Sequence, residues 1–230
     1  MSLLAARIGG ADWQLFAAPA ALHVASRTLV VADAHFGKAA AFRARGVPVP
    51  QGTTTANLAR LTTAIEAIRP RTLVFLGDLF HARESHAPAT LAALAQWRAV
   101  HDGLEMVLVE GNHDRRAGPP PAALRLRVEC EPWFACGVAF CHHPQRIDAA
   151  AVVAGHLHPC MRLRGRGDDG LRLPCFWLRE GLAILPAFGE FTGGAPIVRE
   201  PGDRVVAVAE GRLFDVPGYC SRQSKSKTAY

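Results

Sequence analysis

Five short polar motifs carry the residue types that bind transition metals and support metal-assisted hydrolysis. They are Asp33-Ala34-His35, Gly77-Asp78, Gly111-Asn112-His113-Asp114, His142-His143 and Gly155-His156-Leu157-His158. Carboxylate oxygens are hard ligands and imidazole nitrogens are borderline, so a mixed set suits Mn, Fe, Zn, Ni or Co. The nitrogen ligands argue against calcium, and the lack of clustered thiolates argues against a structural zinc ribbon. Seven candidate ligands are too many for one four-coordinate ion. They fit two divalent ions sharing one carboxylate, the arrangement that clamps the attacking and leaving oxygens at a metal separation of ~3.5–4 Å. Singly each motif is weak; five in order are not.

Each motif follows an apolar run. The runs over 28–32, 72–76, 106–109, 137–141 and 152–154 are rich in Val, Leu and Phe at successive positions, which predicts strands buried on both faces. Open α/β sheets bind ligands beyond the carboxyl ends of their strands, where these motifs fall. Leu58, Leu61, Ile65 and Ile68 recur at helical steps, so a helix is predicted over 53–69 and ended by Pro70. A second is predicted over 85–100, with Pro88 in its first turn. Alternating strands and helices imply a largely parallel start to the sheet. After Gly155 the short apolar segments 160–163, 171–178, 182–185 and 205–208, with a hairpin turn at 165–170, predict a mostly antiparallel second sheet. Further strands are expected at 13–16 and 21–24.

The motif series resembles the calcineurin-like metallophosphoesterase superfamily. A narrower likeness, over about 13–198, is to the ligase-associated metallophosphoesterases of bacterial DNA-repair clusters. It rests on Phe42-Arg-Ala-Arg-Gly-Val-Pro48, Gly77-Asp-Leu-Phe-His81, His142-His-Pro144, Gly155-His-Leu-His-Pro159, Leu185-Pro-Ala-Phe-Gly189 and Thr192-Gly-Gly194. The resemblance implies an α/β fold, a single-domain αββα two-sheet sandwich of mixed strands over 1–215. It also implies roles. Asp33, His35 and His158 would bind one metal, Asp78 would bridge, and Asn112, His142 and His156 would complete the second. Asn112 and His113 would contact the substrate phosphate. His113 would protonate the leaving oxygen or stabilise its charge, and Asp114 would orient His113 by accepting its hydrogen bond. Mn2+ is the first choice of metal. The implied reaction is attack on phosphorus by a hydroxide bridging the ions, which needs no covalent intermediate. The implied partners are DNA, single-stranded or damaged, and the ATP-dependent DNA ligase, helicase and exonuclease of the same clusters.

The superfamily often places a second carboxylate where this chain has His81, which can donate to a phosphate; a substrate contact and a supporting role are both open. Strand alternation favours His142 over His143 as the ligand. Lys38, Arg43, Arg45, Arg83, Arg115, Arg116, Arg146, Arg162, Arg164 and Arg166 follow the motifs, so convergence of the motifs would ring the site with cations.

Composition sets the frame. Half of the chain is apolar, enough for a core, and no apolar run approaches a membrane span of ~20 residues. The six cysteines lack C-x-x-C pairing, and 1–10 lacks a secretory pattern, so a cytoplasmic protein is expected. Three of the six net positive charges, Arg222, Lys225 and Lys227, fall in 216–230, a basic tail expected to be disordered. Net charge is therefore a poor argument for nucleic acid. The competing readings are a phosphodiesterase or phosphatase for nucleotides or other small esters, and a catalytically silent interaction scaffold.

Overall fold

The computed structural model describes residues 2–50, 52–164, 170–190 and 192–218. The first sheet has seven strands in sequence order: β1 (Leu3–Ile8), β2 (Ala11–Phe16), β3 (Ala20–His23), β4 (Thr28–Ala32), β5 (Thr72–Leu76), β6 (Glu105–Val109) and β7 (Arg127–Glu129). Strands β1 to β4 run antiparallel, and β4 to β7 pair in parallel, as the alternation of strands and helices requires.

Helices α1 (Lys38–Ala44), α2 (Thr53–Ile68), α3 (Pro88–Val100) and α4 (Asn112–Ala117) follow β4, β5 and β6. Leu58, Leu61 and Ile65 of α2 and Leu94 and Trp97 of α3 pack on Leu29, Val31, Leu73, Phe75 and Leu108 of the sheet. The helix expected over 85–100 begins only at Pro88. Residues Arg83–His86 form a separate 3-10 turn, because Pro88 provides a start but cannot donate an amide inside a helix.

The second sheet holds β8 (Trp133–Ala135), β9 (Val138–Cys141), β10 (Ala151–Ala154), β11 (Pro159–Arg164), β12 (Gly170–Arg179), β13 (Leu182–Ile184), β14 (Ala195–Pro196), β15 (Arg204–Ala209) and β16 (Arg212–Val216). Its main order is β14-β11-β12-β13-β10-β9-β8, with β15 and β16 added beside β12. Most of its pairs are antiparallel, while β10 runs parallel to β9 and β13, and β14 runs parallel to β11. The expected turn at 165–170 lies outside the described residues up to 169; the strands it joins pair antiparallel. The expected boundary at 215 falls one residue inside β16, and the tail from 219 onward lies outside the described residues.

Residues alternating along each strand divide the core. Val30, Val74, Leu76, Val107 and Val109 face Val138, Phe140, Val153, Phe176, Ala183 and Val206 across the space between the sheets. The two-sheet sandwich is therefore present. The outer face of the second sheet packs Ala139, Cys141, Val152 and Ile184 against Ile147, Ala150 and Trp177, and no described helical residue joins that cluster. The β9–β10 connection spans only 142–150, shorter than the dozen or more residues of a helical crossover.

Candidate metal centre

The carboxyl ends of β4, β5 and β6 in one sheet and of β9 and β10 in the other meet at one edge of the sandwich. The segment after β13 stitches the sheets together there. Phe188 donates its amide to the Ala32 carbonyl at 2.7 Å, and Gly189 donates to the Asp33 carbonyl at 3.1 Å. A Cβ at Gly189 would lie 2.4 Å from the Ala34 carbonyl oxygen, so this approach requires glycine.

The seven residues expected to bind metal converge. Ligand atoms of Asp33, His35 and His158 lie within 4.8 Å of one another, as do those of Asp33, Asp78 and His142. His142 Nε2 is 2.9 Å from Asn112 Oδ1, 3.0 Å from His156 Nδ1 and 3.5 Å from Asp78 Oδ1. His158 Nε2 is 3.3 Å from Asp33 Oδ1. Carbonyl oxygens only accept, so they assign the tautomers: His142 donates Nδ1–H to Leu76 at 3.1 Å and His158 donates Nδ1–H to Gly193 at 2.9 Å. Each ring then turns an Nε2 lone pair into the cluster.

The backbone is strained where five of the candidate ligands sit. Asp33, His35, Asp78, His156 and His158 all have φ between 46° and 68°, the left-handed region that ordinary residues avoid. Each carboxylate commits one oxygen to a backbone amide. Asp33 Oδ2 accepts from His156 at 2.8 Å, and Asp78 Oδ1 accepts from His113 at 2.9 Å. Asp33 Oδ1 and His35 Nδ1 are buried with no hydrogen-bond partner. Asp33 and Asp78 are only 0% and 2% exposed. Two buried carboxylates, an unpartnered oxygen and a mixed nitrogen–oxygen donor set fit divalent cations, since buried charges are paired or coordinate metals.

Electrostatics favour the neutral ring at His35 and His156. Burial, reinforced by Lys38 and the neighbouring imidazoles, holds His35 far below the usual histidine range. Burial, with His142 and His143, also lowers His156. Neutral imidazole is the ligating form. At His158 burial acts the same way, but the Asp33 carboxylate outweighs it and raises the pKa. Lys38 is lowered by burial against the pull of Asp78 and Asp33, which places this amine close to the cluster.

Around this core, expectation and structure part at three places. Asp114 does not accept a hydrogen bond from His113. Its Oδ1 takes the Phe80 amide at 3.1 Å and its Oδ2 the Gly111 amide at 3.0 Å, closing the start of α4. Burial pushes Asp114 up to about 7, with those amides opposing. The ring of His113 is oriented instead by the His81 carbonyl, 2.7 Å from Nδ1.

The alternation argument about His142 and His143 does not apply, because β9 ends at Cys141. Both rings approach His156, at centroid distances of 4.8 and 4.3 Å. The residue that holds this tandem, Glu131, has no motif to reveal it. It accepts both histidine amides at 2.8 Å and His143 Nδ1 at 2.6 Å.

The cations also divide. Arg45, Arg83 and Arg116 line a cleft with His81 and His113. Arg115 pairs with Glu110 and Glu131. Arg43 reaches the Val49 and Pro50 carbonyls. Arg146 lies beside Gly9 and Gly181 at the start of β10, away from the metal cluster. The side chains of Arg164 and Arg166 lie outside the described residues. His81 stacks on His113 at 4.7 Å and 22°, and burial with Lys38 lowers it to about 4.

A two-sheet sandwich with aspartates, histidines and one asparagine gathered at its strand ends defines a class of metal-dependent phosphoesterases. The sequence profile of the calcineurin-like phosphoesterase family matches residues 26–144, and the chain belongs to that family. Among solved structures it is similar to Pseudomonas putida nuclease MPE, with 42% identity and a TM-score of 0.83, over 94% of this chain and 100% of that one. It is also similar to YfcE, a phosphoesterase from E. coli, at only 13% identity and a TM-score of 0.38, over 80% of this chain and 88% of that one. No curated protein matches the chain. Among the described residues no helix is long and apolar enough to cross a membrane.

Proposed function

We propose that this chain is a binuclear metal-dependent nuclease that hydrolyses DNA phosphodiesters in repair. The observation that carries the metal chemistry is the convergence of seven ligand-type side chains, among which the buried Asp33 Oδ1 has no hydrogen-bond partner. The likeness to a solved nuclease over nearly the whole chain supports the choice of nucleic acid. Asp33, His35 and His158 would hold one ion, Asn112, His142 and His156 the other, with Asp78 between them; Mn2+ is the leading candidate. The ions supply positive charge for the scissile phosphate and lower the pKa of water.

The rest is the work of this chain's own side chains. With Nδ1–H given to the His81 carbonyl, His113 presents Nε2 near Asp78, 3.9 Å from Oδ2, on a side chain 29% exposed. In its imidazolium form, with a second proton on Nε2, it would pass that proton to the leaving oxygen and be left as the neutral Nδ1–H tautomer. His81 stacks behind it and faces the same cleft, where it contacts substrate. Asp114 keeps Gly111 and Phe80 in place, so that His113 and Asn112 enter α4 at fixed positions. Cytoplasmic location belongs to the same proposal, supported by the five cysteines among the described residues, all free thiols.

The test is a panel of Mn2+, Mg2+, Zn2+ and Ni2+ against single-stranded DNA, duplex DNA, RNA, a model phosphodiester and a model phosphomonoester, with Asp78→Ala as control. Metal-dependent DNA cleavage that vanishes in Asp78→Ala is expected. Cleavage of small esters alone would sink the nuclease reading, and inactivity with no metal bound would favour a scaffold.

A further inference from the structure

We propose that the cleft on the outer side of His113 is a second phosphate site. It would take the nucleic-acid phosphate that neighbours the scissile one on the leaving fragment. This rests on the phosphodiesterase reading above and gives it a direction along the strand.

The cleft holds about 350 Å³ and is walled by Arg45, Arg83, Glu84, Arg116, His81 and His113. Its cations come from three elements. Arg45 caps the C-terminus of α1, Arg83 opens the 3-10 turn and Arg116 lies in the last turn of α4. Gly37 lets α1 sit on that turn, because a Cβ there would be 2.5 Å from the Ser85 carbonyl oxygen. The one acid in the wall, Glu84, is 3.4 Å from Arg45 in an exposed pair. Such a pair contributes little. Among the described residues Arg83 and Arg116 have no carboxylate partner, so the wall carries three cations and one anion.

Three cations facing a single acid leave an excess of positive charge that repels itself, and a bound anion relieves that cost. A phosphate is the anion that fits, for two reasons. Guanidinium forks match phosphate oxygens in charge and geometry. The stacked rings of His81 and His113 are also a wall shared with the metal cluster, so a strand lying over the ligands runs directly into the cleft. If His113 protonates the leaving oxygen, the fragment on its side is the one that departs.

The test uses the metal-loaded protein and three thymidine dinucleotides. One has a single phosphodiester, one an added 5′-phosphate and one an added 3′-phosphate; the products show which fragment leaves. A phosphate on the leaving fragment is expected to raise kcat/KM about tenfold, and one on the other fragment is not. The gain should vanish in the double variant Arg83→Ala, Arg116→Ala and return in part with lysine at both positions. Binding gives a second readout. In metal-free buffer, anisotropy of a labelled single strand should show a slope of log affinity against log salt shallower by about 1.4 in the alanine variant, two contacts at ~0.7 each.

A gain that survives both alanines, an equal gain from either phosphate, or an unchanged salt slope would overturn the site alone. Failure to cleave any of the three dinucleotides would instead overturn the phosphodiesterase reading, and the site with it.

Discussion

Five candidate ligands hold left-handed backbone, at about 1–3 kcal/mol each. That strain is offset by hydrogen bonds made at the same residues. The His35 amide binds the Asp78 carbonyl at 2.8 Å, and the His156 amide binds Asp33 Oδ2. These bonds help to hold the side chains aimed at a common point, as precise metal geometry demands. His113 stands apart, oriented by a carbonyl and half-open to the cleft. His113→Ala should lower kcat about 10²–10⁴-fold with metal content unchanged, measured by steady-state kinetics and metal analysis. Glu131 acts through the histidines it grips. Glu131→Gln replaces an acceptor of three N–H groups by a group that both donates and accepts, and should weaken metal binding about 10–100-fold. Metal titration followed by melting temperature would read that loss; unchanged affinity would remove Glu131 from the site's support.

At the scale of elements, the strand ends were legible because apolar runs stop abruptly where the chain leaves the core. β4 and β5 match their expected spans, and α2 ends one residue short, at Ile68, with Arg69 in a left-handed cap before Pro70. Helices α1 and α4 were not legible. Seven and six residues are too few to display a helical period, and α4 is built from the motif itself. β1 was missed because half of its residues face solvent. The turn after β5 carries the tightest constraint. Gly77 has φ of 69°, and a Cβ there would lie 2.1 Å from His142 Nδ1, a candidate ligand that follows a strand of the other sheet. Gly77→Ala should therefore cost more than about 1 kcal/mol and displace His142. Denaturant melts and metal titration of the variant would check both effects together.

Over the whole molecule, the candidate ligands divide between two sheets that share one core. Asp33, His35, Asp78 and Asn112 follow strands of the first sheet, while His142, His156 and His158 belong to the second. Binding of the ions should tie the sheets together, so metal at a hundred times Kd should add about 2.7 kcal/mol of stability. Calorimetry with and without a chelator measures this, and equal melting temperatures would contradict a cluster that spans the sheets. Phe140 and Phe176 fill the space between the sheets with no exposure. Truncating Phe176 to Ala should cost about 3–5 kcal/mol. It should also loosen metal retention, because the ligands keep register only while the sheets do.

By itself the sequence determined the chemistry and its placement: which residue types occur, and that each group follows a buried strand. Periodicity carries that information, since a strand that must bury both faces leaves an unbroken apolar record. Tertiary structure decided the rest. It gave the Asp114 carboxylate to backbone amides and the orientation of His113 to the His81 carbonyl. It brought Glu131, 11 residues before His142, beneath the tandem histidines. It put Arg83 and Arg116 in the cleft and sent Arg146 to the far end of β10. None of these lies on a strand; they sit in loops, in a single 3-10 turn or in the six-residue α4, all too short for a period to set the direction of a side chain. The course of the connecting chain and the packing of one sheet against the other are what aim them.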